Sequence, residues 1–338
     1  MGIMYVSIVL TFLALLIFNI LFILINIYLW AIGDHAIVTS GTNLIEILYY
    51  APLFKWIVLF DIIWLGTGFL FALTRKTYKT DQRFYLDTKK INDPKITVII
   101  PTYNEENNVE KIIKDFQSEK NVKHVLVIDN NSSDKTVKIS KECGATVITK
   151  ETNKGFGDSC ILGFSEALKT DADVIVLTEC DGTYTSSDLE KMLPYLDNCE
   201  LVLGTRLIQV LTEKGNQNGM FNTWGNFFIA KLIQLKFFSL LHMGVVSLTD
   251  VGCTFRCMRR ESLEKIIETI KADYDKKIDK NGWLIIPYLN MIAIKKDLKI
   301  VEVPITFKKR VGISKSGAQK KSKGIIYGLK FIWFVLKN

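Results

Sequence analysis

Residues 4–32 are an almost unbroken run of Leu, Ile, Phe and Val in which Asn19 and Asn26 are the strongly polar exceptions. A helix over this run is longer than the roughly 20 residues that cross a hydrocarbon core, and the run exceeds the apolar core of a signal peptide. The chain therefore has to satisfy a bilayer as well as water. A second apolar run, Trp56 to Leu73, is interrupted by Asp61 and has 18 residues, just enough to span. As a spanning helix it would turn Asp61 toward its partner helix rather than lipid; an interfacial helix is the alternative. The intervening stretch carries Asp34, Glu46 and a lone Lys, whereas TRKTYKTDQR follows the second run directly. Basic residues accumulate on the cytoplasmic side of spans, so the N-terminus and everything after Arg75 are expected in the cytoplasm.

The rest of the composition agrees with a mixed chain of 338 residues. Mean hydropathy is +0.20, with the apolar excess concentrated in these two runs. Net charge is +8 and uneven: residues 74–95 hold seven Lys or Arg against three Asp, and residues 308–323 hold seven with no acid. Beside apolar segments such clusters point to anionic headgroups or phosphorylated ligands rather than nucleic acid. Six scattered cysteines without a Cys-x-x-Cys, and three histidines, argue against a zinc site or a disulfide framework and suit a reducing compartment.

From Lys95 the pattern becomes α/β. ITVIIP (96–101) reads as a strand, and the next segment carries Val109, Ile112, Ile113 and Phe116 on a helical stripe. HVLVID (124–129) reads as a second strand, with Ser and Asp of NNSSDKT capping a helix through Cys143. ATVIT, a glycine-bearing turn, a helix over 158–169 and a strand ending at Glu179 continue the alternation. That order implies a mostly parallel sheet covered on both faces.

The strand VIVLTECDGT (174–183) ends abruptly in Glu179, Cys180 and Asp181. Ligands of open α/β sheets bind at the carboxyl edge, and acids two apart on an extended chain point the same way. Such hard oxygen donors suit a Mg²⁺ or Mn²⁺ that also carries diphosphate oxygens. An ordinary strand end with an Asp-Gly turn is the plain alternative. After the first strand, PTYNEE stands where a dinucleotide-binding fold needs GxGxxG, and a Walker A loop is missing.

TVIIPTYNEENNV, VLVIDNNSSDKT, NKGFGDS, LTECDGTY and LVLGTR, in this order and spacing, resemble the nucleotide-sugar domain of family-2 glycosyltransferases of the GT-A fold. In pattern they are most similar to dolichyl- or polyprenyl-phosphate sugar synthases. The resemblance runs from about Ile96 to Arg206, and more weakly through LTDVGCTFRCMRRESL and VPITFKKRVGISKSG to residue 317. It implies a pocket for base and ribose at Pro101, Tyr103 and Glu105, with Asp129 on the base edge, and a donor loop at Lys154, Gly155 and Gly157. It makes Glu179 and Asp181 the metal acids. Thr183 stands where such synthases show glutamine, and the further metal contact is expected to pass to its hydroxyl or to water. Arg310, Ser314 and Lys315 resemble the basic loop that closes over the donor diphosphate, and Arg206 a phosphate-facing arginine. Asp250 is either a base for a hydroxyl acceptor or an orienting group for a phosphate acceptor; Arg256, Arg259 and Arg260 are candidates for a phosphate clamp.

The expected organisation is a membrane anchor of two helices over 1–75, a basic linker over 76–94, the GT-A domain over 95–317 with interfacial helices near 222–241, and an amphipathic interfacial helix over 318–338. The resemblance implies an integral membrane enzyme with its catalytic domain on the cytoplasmic side. It would move a sugar from a nucleotide-diphosphate sugar to a polyprenyl or dolichyl phosphate. Transfer to a sugar hydroxyl and a catalytically silent partner are the alternatives.

Overall fold

The computed structural model describes residues 2–31, 54–74, 90–217, 219–237, 247–278, 282–312 and 321–338. Ser314 and Lys315 lie outside these residues, as do most of the 33–55 stretch and of the expected linker.

The chain forms two compact units. The first holds helices α1 (Gly2–Ala31) and α2 (Phe54–Thr74). Each contains a segment long and apolar enough to cross a membrane, Ser7–Ile25 and Phe54–Phe71. They pack on each other through Phe12 and Trp64, whose rings lie 5.0 Å apart, and the Trp64 indole donates to the Ile8 carbonyl at 3.1 Å. Most of their large apolar side chains face outward, an arrangement that water disfavours and lipid tolerates.

The second unit is built on a seven-stranded sheet. Its strands are β1 (Ile96–Thr102), β2 (Val122–Asp129), β3 (Thr146–Thr149), β4 (Val174–Leu177), β5 (Leu201–Thr205), β6 (Arg256–Arg259) and β7 (Ile300–Pro304), in the order β3-β2-β1-β4-β6-β5-β7. β1 is buried along its whole length because it is central and covered on both sides. On one face Val98 and Ile100 join a core cluster with Val109, Ile112, Ile113 and Phe116 of α3 (Val109–Gln117). On the other, Gly163 of α5 (Phe156–Ala167) comes so close to Ile99 that an added Cβ would sit 2.3 Å from its Cγ2. α4 (Thr136–Glu142) and the short α6 (Leu189–Met192) complete the first half. Asp134, one residue before the helix cap, accepts from the Thr136 amide at 3.0 Å and hydroxyl at 2.6 Å.

All pairings are parallel except those of β6, which runs antiparallel to both β4 and β5. This reversal decides the fate of its arginines. Arg259 pairs with Val174 at the start of β4, the edge opposite Glu179. Its guanidinium donates to the Leu196 carbonyl, that of Arg260 to the Leu168 and Thr170 carbonyls, and that of fully buried Arg256 to Cys253 O and Asn290 Oδ1. The expected phosphate clamp is thus a set of structural ties, to backbone carbonyls and to the side chains of Asn290 and Glu264. The second half adds α7 (Met220–Lys236), α8 (Arg260–Lys277), α9 (Ile285–Lys295) and α10 (Lys321–Lys337).

Candidate active site

β4 ends two residues before Glu179, and the chain beyond it turns through Gly182 at a φ of 78°, a conformation open to glycine. The Asp181 carboxylate is buried and oriented by this turn: its Oδ1 accepts from the Thr183 amide at 3.0 Å and hydroxyl at 2.5 Å. Its Oδ2 pairs with Arg310 Nη2 at 2.7 Å. Glu179 repeats the arrangement with a different partner. Its Oε1 accepts from the Thr254 hydroxyl at 2.5 Å, and its Oε2 lies 3.9 Å from the same Arg310 nitrogen. Burial, reinforced by the neighbouring Asp181 charge, pushes Glu179 up to about 7. Two acids thus converge on one cationic point.

The Thr183 hydroxyl donates to Asp181 Oδ1 and so orients that carboxylate.

These acids floor a cleft of about 270 Å³ whose walls include Pro101, Tyr103, Glu105, Gly155 and Arg310. Five predicted residues from three chain regions (101–105, 155 and 310), with the two acids, are therefore neighbours. The loop after β1 is tied to the loop bearing Arg310 by Asn108, whose Nδ2 donates to Glu105 Oε2 at 2.8 Å and to the Val311 carbonyl at 3.1 Å. The Val311 amide donates in turn to the Asp181 carbonyl at 3.0 Å.

Other predicted residues stand elsewhere. Asp129 is fully buried and its carboxylate accepts from the Ser132 amide of its own turn. Its neighbour Asn130 lines the cleft instead, fixed by Asn153 Oδ1 at 2.6 Å and the Lys150 ammonium at 2.7 Å. The Lys154 side chain is exposed and borders a separate open hollow with Lys150 and Lys271. Gly155 caps α5 at a φ of 89°, whereas Gly157 faces Gly282, where an added Cβ would meet the Gly282 carbonyl at 2.8 Å. That close approach brings Trp283 onto Phe156, the two rings stacked 4.9 Å apart and 13° from parallel. Both line the cleft.

Arg206 and Asp250 form a buried bidentate pair. Nε reaches Oδ2 and Nη2 reaches Oδ1, each at 2.7 Å, and the Arg206 amide also donates to Oδ2 at 3.0 Å. Burial opposes the arginine charge, and Asp250 more than offsets it, holding Arg206 above the usual guanidinium range. Glu302 fixes the loop from behind by accepting from the Thr249 and Asp250 amides.

Arg206 borders a second space of about 470 Å³ between α7 and α10, lined by Asn226, Phe228, Ile229, Leu329 and Ile332 among others. Trp283 and Tyr327 line both this groove and the acid-floored cleft. Around it, Trp224 and Trp333 are 65% and 62% exposed.

Residues 97–267, half of the chain, match Glycosyl transferase family 2. The chain belongs to that family. Among curated relatives of this family 2 glycosyltransferase, a polyprenol monophosphomannose synthase of Mycolicibacterium smegmatis is 29% identical over 64% of this chain and 79% of its own. A UDP-N-acetylglucosamine–dolichyl-phosphate N-acetylglucosaminyltransferase of Methanococcus voltae is 28% identical over 63% of this chain and 85% of its own. Among solved structures, the glucosyl-3-phosphoglycerate synthase of Mycobacterium tuberculosis, in complex with Mn²⁺, uridine diphosphate and phosphoglyceric acid, superposes with a TM-score of 0.51. It is 15% identical and the match covers 72% of this chain and 78% of that one. The glycosyltransferase therefore has the GT-A fold, with the mostly parallel sheet expected from its sequence.

Asn130, Asn153, Phe156, Trp283, Thr254 and Tyr327 are site residues that the motif reading passed over. Asn130 and Phe156 adjoin residues it named. Trp283 and Tyr327 have no local signal, because Gly157–Gly282 packing and the docking of α10 bring them in.

Proposed function

We propose that this glycosyltransferase is membrane-anchored and moves a sugar from a nucleoside-diphosphate sugar to a polyprenyl or dolichyl phosphate at the cytoplasmic leaflet, with inversion at the anomeric carbon. The observation that carries this reading is the junction of two unlike spaces: a polar cleft floored by Glu179 and Asp181 and an apolar groove between α7 and α10, sharing Trp283 and Tyr327. A nucleotide diphosphate suits the first and an isoprenoid chain the second. Their meeting point is where donor and acceptor would react.

The donor set fits a divalent cation. Glu179 Oε2 and Asp181 Oδ2 already face one cationic group, the Arg310 guanidinium. Among the described residues no three His, Cys, Asp or Glu side chains gather as a cage, so the remaining ligands would be diphosphate oxygens and water. Bound there, Mg²⁺ or Mn²⁺ would neutralise charge on the departing diphosphate. Tyr103 offers a ring face to the base and Glu105 an acceptor for base or ribose donors. Arg310 would exchange its contact with the acids for one with diphosphate oxygens. An acceptor phosphate oxygen would then form the bond to the anomeric carbon as the bond to the diphosphate breaks, the electron pair leaving with the nucleoside diphosphate.

An ionised phosphate needs no base. A hydroxyl acceptor would, and Asp250 is poorly suited, because Arg206 occupies both of its oxygens in a buried pair. The two curated relatives are named for polyprenol monophosphomannose and for dolichyl phosphate, which favours the same acceptor class; mannose in one and N-acetylglucosamine in the other leave the sugar open. The test is detergent-purified protein, a panel of nucleotide sugars and polyprenyl phosphate, with lipid-linked product measured by mass. Lipid-dependent release of a nucleoside diphosphate is expected. Transfer to a free sugar hydroxyl, unaffected by polyprenyl phosphate, would overturn the reading.

A further inference from the structure

We infer that Thr254 is a positioning residue for Glu179, setting which carboxylate oxygen that acid presents to the cleft. The inference rests on the proposed role of Glu179 and Asp181 as cation ligands.

The two acids have matching restraints from different parts of the chain. Thr183, two residues beyond Asp181, takes Oδ1 of that acid. Thr254, seventy-five residues beyond Glu179, takes Oε1. In each case the second oxygen, Oδ2 or Oε2, is the one turned to Arg310. Glutamate has one more side-chain torsion than aspartate, so a local turn cannot orient it as it orients Asp181. A hydroxyl from across the sheet can.

Thr254 is itself held rigidly. It is 1% exposed, its amide donates to the Tyr184 hydroxyl at 3.3 Å, and its carbonyl accepts from Arg256 Nε at 3.2 Å. Tyr184 is 3% exposed and stacks on Phe255, the next residue in the chain, with ring centroids 5.5 Å apart. Every polar atom of Thr254 is therefore committed, and its hydroxyl points at Glu179. The antiparallel course of β6 makes this possible, because the residues just before Arg256 emerge beside the end of β4.

Groups that orient a metal ligand commonly change metal affinity about 10- to 100-fold when removed. The experiment measures Mn²⁺ binding to the full-length protein without donor, by the loss of the free-ion electron paramagnetic resonance signal. Thr254→Val, which keeps the shape and removes the hydroxyl, is expected to weaken Mn²⁺ binding by about tenfold. Thr254→Ala carries the same expectation should the valine variant not fold. Thr254→Ser should bind within about threefold of the parent, since it restores the hydroxyl. In a Glu179→Asp background the shorter carboxylate falls short of Thr254, so adding Thr254→Val should change affinity by less than about twofold. Equal binding by Thr254→Val and the parent overturns the inference. So does an equal loss in both backgrounds, which would mark a general packing defect. A parent protein that binds no Mn²⁺ in either the absence or presence of uridine or guanosine diphosphate overturns the metal reading itself, a result distinct from both.

Discussion

Replacing Asp250 with Asn separates two roles that the residue can have. The carboxylate accepts from the Arg206 amide and Nε at one oxygen and from Arg206 Nη2 and the Gly252 amide at the other. An amide can keep one oxygen in place, and its NH₂ then faces two donors. The pair is buried, with 11% of the Arg206 side chain and none of the Asp250 side chain exposed. Removing one partner of such a pair typically costs about 3–5 kcal/mol, because the other charge is left without compensation. For a domain of this size each kcal/mol shifts the melting midpoint by about 2–4 °C, so a fall of roughly 6–20 °C is expected. Intrinsic tryptophan fluorescence in detergent would report it. Arg206→Ala should melt lower by a similar amount, and the double variant should lose much less than the sum, because the two residues act as one unit. A general base would behave otherwise: turnover would fall by about 10² to 10⁴ with the melting midpoint unchanged. That second pattern would refute the structural reading of the pair and restore a hydroxyl acceptor. The sequence alone suggests that Asp250→Asn is the milder lesion of the two; the buried bidentate geometry makes it comparable to Arg206→Ala in stability.

Asp181→Asn should lower turnover by at least about two orders of magnitude, and chelation of divalent cations should abolish activity that Mn²⁺ or Mg²⁺ restores; near-normal turnover under either treatment would contradict the metal assignment. Trp283→Ala should raise KM for donor and lipid together by roughly 3- to 10-fold, the scale of an aromatic contact, since this ring lines both spaces; steady-state kinetics with each substrate varied would show it, and an effect on one substrate alone would separate the two spaces. A single cysteine introduced at position 40 in a cysteine-free background should react with an impermeant reagent outside intact cells, and one at position 118 should not. Labelling at 118 would reverse the proposed orientation.

The parts of this fold that can be read from the chain are those whose signal is local. β1, β4 and the second half of β2 are buried on both faces and so appear as apolar runs, and α3 shows its buried stripe because one side is wet. Pro101 lies near the end of β1, and Tyr103, Glu105, Glu179 and Asp181 follow strand ends, all at the edge where parallel sheets bind ligands, which is why motif spacing gathers them. β6 is less legible. RCMR has two arginines in four residues and does not look like a buried strand until the carbonyls that receive its guanidinium groups are known. Asp129 and Lys154 mislead for a related reason, because residue type gives chemistry while the adjoining turn gives direction. The carboxylate of one serves its own loop and the ammonium of the other borders another hollow.

The reversed strand also bears on attempts to change substrate preference by exchanging segments between such enzymes. Asp250, which holds the groove-side arginine, and Thr254, which holds a cleft-side acid, are four residues apart on one peptide that leads into β6. Residues 247–256 therefore form a single graft unit. Exchanging its first half to suit a new acceptor would transmit any backbone shift to the donor side, and the reverse holds as well. A chimera that moves the whole segment together with its backing residues, Tyr184 and Glu302, would carry both walls across intact.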